Sequence, residues 1–471
     1  MGKISEKTIK NRSTALAEAH EEIEKCRISH SKNLEIGYND YLTVFPEEIR
    51  QLSWLTSLSV ICTDIRILPD WIGELVNLRT LDISTNKRIK KLPRGLANLK
   101  HLRKFILDNT GIRKLPAFIG NMHSIEFLEF STYDVKEIPQ CILDLPRLKR
   151  IETRGHDYKN DPPYLVTKQR ELDMKECLCR IEYCKKHNRK KLNLSFLYLG
   201  ELPKELSELY WLEDLDLSCN DLIQLPEWIG NFPELAKLNL NANELTTLPD
   251  SIGRLKKLKK IDLGFNHLET LPESFGNLRS LEVFDLIETR NHPASEEYFG
   301  QGSWFTHFPD TFGNLNSLKE FYISETRIKG LPESFGNLKS LRSLTIQESM
   351  TGNFYFPSTM KNLKTLREVS LSAFDHVPEF VGELKNLTRL DISHNKFYTL
   401  PDFLGNLTKL KVLNLHSTWI TELPAWIANL KQLEDLDISA NDITVYPEII
   451  KNLPKLKKFG DEYNVYNGSA E

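Results

Sequence analysis

Prolines punctuate this chain at a nearly constant interval. Pro203, Pro226, Pro249 and Pro272 are spaced 23 residues apart, and each apolar position between two of them recurs in the next interval. The stretch from Leu248-Pro249 to Leu271-Pro272 shows one complete unit: Ser251-Ile-Gly-Arg-Leu255, then Leu258-Lys-Lys-Ile-Asp-Leu-Gly-Phe-Asn-His-Leu268. A fixed period of this length is a solenoid signal: one unit cannot bury its apolar face alone, so stacked units must share a core.

Within the unit, Ile261-Asp262-Leu263 alternates apolar and polar residues at the strand period of two. A short strand is expected there, with Ile261 and Leu263 inward and Asp262 outward on a parallel sheet that gains one strand per repeat. Asn266 follows, and its amide can satisfy backbone groups in the turn that leaves the strand. Leu268 and Leu271 fill the core, and Pro272 sits where no ladder donor is needed. Glu273-Ser-Phe-Gly-Asn-Leu278 then turns back along the convex side, with Gly276 at either a close backbone approach or a positive φ.

Leu-Pro-x-x-Phe/Ile/Leu-Gly-Asn-Leu/Phe recurs at 225–232, 271–278, 331–338 and 400–407. With Leu-x-x-Leu-x-Leu-x-x-Asn-x-Leu it resembles the intracellular leucine-rich repeats of Ras-interacting and Roco-type proteins, over roughly 34–156 and 187–463. The resemblance implies an α/β fold, a leucine-rich repeat solenoid (horseshoe) with a parallel concave sheet and short helical or 3-10 convex segments. Such repeats bind unrelated partners, so the likeness specifies fold more tightly than function.

The proline marks fall into two blocks. The first holds Pro46, Pro69, Pro93, Pro116 and Pro139; the next mark, Pro203, opens a second series that runs to Pro447. Ile181-Glu-Tyr-Cys184 ahead of Pro203 echoes Ile23-Glu-Lys-Cys26 ahead of Pro46, and Leu145-Pro-Arg-Leu-Lys echoes Leu453-Pro-Lys-Leu-Lys. Shared beginnings and endings imply two capped blocks: an N-terminal cap helix in 1–33, a first repeat block at 34–156, a linker plus second cap helix at 157–187, a second block at 188–463 and a tail at 464–471. Terminal repeats lack a neighbour, so an atypical element must cover them.

With 62 basic and 65 acidic residues the formal charge is −3, which offers no footprint for nucleic acid or an acidic membrane. Runs such as Lys256-Lys257-Leu-Lys259-Lys260 read as solvated faces. No apolar stretch reaches the roughly 18 residues of a membrane span. The chain carries no Walker A, His-Glu-x-x-His or Gly-x-Ser-x-Gly motif, so neither an enzyme nor a cofactor is expected. Cys177-x-Cys179-x4-Cys184-x2-His187 invites a metal, yet on a helix Cys177 and Cys184 stand about 10 Å apart, too far to share zinc. Cys177, Leu178, Ile181 and Cys184 read instead as an apolar stripe. The scattered thiols suit a reducing, cytoplasmic compartment.

The expected function is therefore a protein-interaction scaffold or adaptor, and the resemblance implies signalling partners such as small GTPases or kinases. A secreted or receptor-like recognition module is the alternative, and oligomeric state is open. The outward strand position is Asp or Asn in many coils but becomes Tyr322, Thr345 and Ser370 just after a 14-residue excess between Pro272 and Pro309. Loops inserted into a repeat commonly lie on its binding face. The expected partner site is Asp285, Glu288, Glu320, Tyr322, Glu325, Thr345, Gln347 and Glu348, beneath Tyr298, Phe299, Trp304 and Phe305; the alternative is that some of these aromatics only pin the loop to its own scaffold.

Overall fold

The computed structural model describes residues 6–132, 134–153, 162–287, 305–324, 328–347 and 354–464. All strand pairs are parallel and fall into a six-stranded and a twelve-stranded sheet, each in sequence order. The first contains β1 (Asn33–Asn39), β2 (Ser57–Thr63), β3 (Thr80–Asp82), β4 (Lys104–Ile106), β5 (Phe127–Phe130) and β6 (Arg150–Thr153). The second begins with β7 (Lys191–Asn193), β8 (Asp214–Asp216), β9 (Lys237–Asn239) and β10 (Lys260–Asp262). It continues through β11 (Val283–Ile287), β12 (Glu320–Ser324), β13 (Ser343–Gln347) and β14 (Glu368–Leu371), then β15 (Arg389–Asp391), β16 (Val412–Asn414), β17 (Asp435–Asp437) and β18 (Lys458–Gly460). This is the leucine-rich repeat solenoid.

Each strand is short because only its central apolar residue and the next one but one point inward: Ile261 sits opposite Leu238 and Phe284, and it and Leu263 are fully buried. Behind the sheet the chain passes a proline and makes one 3-10 turn, as at Glu273–Asn277 after Pro272. A Cβ on Gly276 would lie 2.3 Å from the carbonyl oxygen of Thr311. Close approach of the next coil, rather than a positive φ, is thus what requires glycine. The left-handed position falls on Phe265 (φ 54), immediately before Asn266.

The asparagines form a ladder that fastens coil to coil. Asn243 donates to the carbonyls of Leu240 (2.9 Å) and, one coil back, Leu217 (3.0 Å), while its Oδ1 accepts the Leu222 N–H at 3.1 Å. Asn220, Asn266, Asn395 and Asn441 repeat the pattern, and Asn86 does so in the first sheet. Each satisfies backbone groups that burial would otherwise orphan at about 1–3 kcal/mol apiece.

Contacts divide the chain into two units, 1–176 and 177–471. In the first, α1 (Glu6–Ser29) lays Ala15, Ala19, Ile23 and Cys26 on the core beside β1. The short α2 (Gln140–Leu143) replaces a 3-10 turn in the last complete coil. The division falls inside α3 (Pro163–Lys186). Leu165 and Leu172 belong to the first unit's core, and Gln169 Oε1 accepts the N–H of Ile151 in β6 at 2.8 Å. The segment read as a second cap thus also closes the first sheet, because β6 would otherwise leave an uncovered edge and core. In the second unit Cys177, Ile181 and Cys184 are buried beside β7, but Leu178, assigned to the same stripe, is exposed; one position past Cys177 turns a side chain about 100° round the helix.

Candidate partner-binding face

The open face of the second sheet carries one side chain from every other strand position. Through parallel register, Asn193, Asp216, Asn239, Asp262 and Asp285 form a row that continues into Tyr322, Thr345, Ser370 and Asp391.

Most of the acidic row is occupied with its own turn. Asp216 Oδ1 accepts the N–H (3.0 Å) and hydroxyl (2.7 Å) of Ser218, and Asp391 does the same with Ser393 at 3.1 and 2.7 Å. Asp437 and Ser439 repeat it. These are turns in which an Asx side chain holds the backbone two residues on. Neighbouring coils add amide links, such as Asn414 Nδ2 to Asp391 Oδ2 at 3.0 Å. The ridge is therefore largely a turn device.

That device stops at β11. Two residues after Asp285 comes Ile287, which has no hydroxyl, and Asp285 Oδ1 is buried without a hydrogen-bond partner among the described residues. Burial pushes the Asp285 carboxyl above its ordinary range, Asp262 pushes it further, and Lys260 opposes both. On the next strand the Tyr322 hydroxyl donates to Gln347 Oε1 at 3.0 Å. Glu320 is exposed, whereas Tyr322, Thr345 and Gln347 are partly exposed. The fold thus brings together five residues of the expected site: Asp285, Glu320, Tyr322, Thr345 and Gln347. Glu288, Tyr298, Phe299, Trp304, Glu325 and Glu348 lie outside the described residues.

Phe305 does not hang over the open face but follows the alternative, an aromatic that pins the chain to its own scaffold. It is fully buried, with its ring 4.7 Å from Phe308. Phe305-x-x-Phe308-Pro309 stands in the place of Leu268-x-x-Leu271-Pro272, so Phe305 is the apolar residue with which the chain re-enters the repeat. Beneath β11–β13, Phe275, Phe312 and Phe335 stack at 6.2 and 6.0 Å, and Phe284 stacks on Phe321 at 5.6 Å. A close-packed aromatic layer holds the backbone under Tyr322 in place.

Sequence reasoning missed a second feature, a cationic cleft in the first unit lined by Lys87, Lys90, Lys91, Arg113 and Lys114. A signal existed: Lys90-Lys91 and Arg113-Lys114 are one 23-residue period apart, so like charges stack in successive coils instead of alternating.

Leucine-rich repeat family models match residues 211–232, 233–290 and 385–443, and a leucine-rich repeat region model matches 297–400. No curated protein sequence matches the chain. Among solved structures, a leucine-rich repeat protein of Leptospira interrogans is similar at 26% identity, covering 87% of this chain and 84% of that one with a TM-score of 0.47. The leucine-rich repeat ectodomain of the Arabidopsis thaliana receptor kinase GASSHO1/SCHENGEN3, solved with CASPARIAN STRIP INTEGRITY FACTOR 2, is similar at 23% identity, with 92% and 61% covered and a TM-score of 0.35. The family matches and the strand-and-turn coil define the fold as a leucine-rich repeat solenoid. No described helix is long and apolar enough to cross a membrane.

Proposed function

We propose that this chain is a cytoplasmic interaction scaffold, an adaptor that takes a protein partner across the open sheet face at β11–β13. The observation that carries the reading is the interruption of the self-satisfied Asp–Ser row. Elsewhere the Asp and Asn side chains of that row are occupied with their own turns, whereas here Asp285 holds a buried oxygen with no partner among the described residues and the row turns aromatic at Tyr322. Interfaces favour a central aromatic anchor inside a polar rim. Asp285 and Glu320 favour a partner that brings Lys or Arg. The resemblance to Ras-interacting repeats points to signalling of the small-GTPase or kinase kind.

Site-specific photo-crosslinking in cells of the native host tests this. A crosslinker in place of Glu320 or Thr345 is expected to capture one discrete protein that a crosslinker in place of Lys204 or Lys257 does not. Equal capture from all four positions, or capture from the last two alone, would overturn the assignment of the face.

A further inference from the structure

We propose that the first unit carries a second binding site, independent of the partner face, for a small ligand bearing two or more phosphate groups. Its walls are the segments that leave two successive strands. Lys87, Lys90 and Lys91 follow β3, and Arg113 and Lys114 follow β4, around a cleft of about 960 Å³. Clefts of about 300–1,000 Å³ are the size that holds small ligands.

Charge is what distinguishes this cleft. Several lysines elsewhere on the described surface pair with a glutamate one coil away: Lys185 with Glu208, Lys190 with Glu213 and Lys257 with Glu234, all at 2.5 Å. In the cleft only Lys114 has such a partner, Glu137. Among the described residues Lys87, Lys90, Lys91 and Arg113 form no ion pair. Asp134 is, among the described residues, the one acidic side chain in the lining, and burial raises its pKa although Arg113, Lys136 and Lys87 oppose this.

The backbone holds the cationic segments against each other. A Cβ on Gly111 would lie 2.5 Å from the carbonyl oxygen of Lys87 and 3.0 Å from that of Ile89, so the two coils touch at the cleft floor. Equivalent positions in successive coils stand about 4.8 Å apart, which sets Lys90 beside Arg113 within the reach of one compact anion. Four unpaired cations call for about four negative charges, which two phosphate groups supply at neutral pH. Carboxylates would need twice as many groups in the same volume. Compact ammonium groups suit phosphate oxygens, and the guanidinium of Arg113 can hold one group through two bonds.

Calorimetric titration of the full chain with inorganic tripolyphosphate tests the site, with inorganic phosphate and a short single-stranded oligonucleotide as comparisons. One tripolyphosphate is expected to bind per chain, and the double variant Lys90→Glu/Arg113→Glu to weaken it at least about thirtyfold, since each lost contact is charge-assisted. Lys87→Ala/Lys91→Ala, which inserts no new charge, should weaken it in the same direction. Lys256→Glu/Lys257→Glu, in the second unit, should leave it unchanged. Several ligands per chain, equal affinity for single phosphate, or equal loss in the second-unit variant would overturn the proposal. So would tighter binding of the oligonucleotide, which would make the cleft part of a nucleic-acid track.

Discussion

Trp54 donates its indole N–H to the carbonyl oxygen of Ser31 at 3.0 Å, tying the coil behind β2 to the end of α1. Trp211 makes the same bond to Arg189, also at 3.0 Å, just after α3. Around both, a buried cysteine five residues before that carbonyl donates its thiol to it, Cys26 at 3.5 Å and Cys184 at 3.3 Å. Both helices also end in the same way. His30 and Asn188 take left-handed backbones, and the N–H groups of Ser31 and Arg189 return to the carbonyls of Cys26 and Cys184. One capping device is used twice.

Trp54→Phe and Trp211→Phe should each cost about 1 kcal/mol, the value of one half-exposed hydrogen bond. Hydrogen exchange checks this locally. Protection should fall across β1 and β2 in the first variant and across β7 and β8 in the second, not across both in either.

The first half of α3 closes the first sheet, so a fragment ending at 176 should be more stable than one ending at 156. The longer fragment keeps Leu165, Leu172 and the bond from Ile151 to Gln169. Two buried leucines contribute roughly 3–6 kcal/mol at most, and about 2–4 °C of melting temperature follows from each kcal/mol in a unit of this size. The shorter fragment should melt lower by about 6 °C and at most about 24 °C. Coincident melting curves would show that α3 serves the second unit alone.

The asparagine ladder separates two kinds of coil. Asn243 bonds into its own coil and into the one before it, whereas the hydroxyl of Thr418, in the same position, reaches Leu415 in its own coil (2.8 Å) and Asn441 in the next (3.0 Å). Asn243→Ala should cost about 3 kcal/mol and Thr418→Ala about 1. Urea denaturation of the two variants provides the comparison.

Asp285 has a pKa raised in the folded chain, so the folded state binds its proton more readily than the unfolded state does. For a carboxyl this means that its contribution is most favourable below the unfolded value, about 3.9, and is lost as pH rises through the folded value. Asp285→Asn should therefore raise the melting temperature at neutral pH and confer no such gain below about pH 4. A gain that persists in acid would locate the effect in packing rather than charge.

Much of the fold was legible. The proline interval and the alternation in Ile261-Asp262-Leu263 specified the parallel coil because every repeat restates them. That the first half of α3 closes the first sheet was not legible, since its contacts to Ile151 follow no period. Phe305 could have been assigned by setting Phe305-x-x-Phe308-Pro309 against Leu268-x-x-Leu271-Pro272. Asn86 could also have been found, since Leu81-x-Ile83-x-x-Asn86 fits the motif. The break in the acidic row was visible as a change of residue type. Its physical meaning was not, because the turn bonds from Asp216 to Ser218 and from Asp391 to Ser393 appear only in three dimensions.

The central claim is that the sheet face around Tyr322 is where a protein partner binds. The direct measurement is the affinity of the photo-captured partner for the wild-type chain and for Tyr322→Ala, with melting curves of both. Loss of a central aromatic anchor commonly costs about 2 kcal/mol or more, so Tyr322→Ala should bind at least about tenfold more weakly, with its melting temperature unchanged. A partner that binds Tyr322→Ala as tightly as wild type would contradict the account.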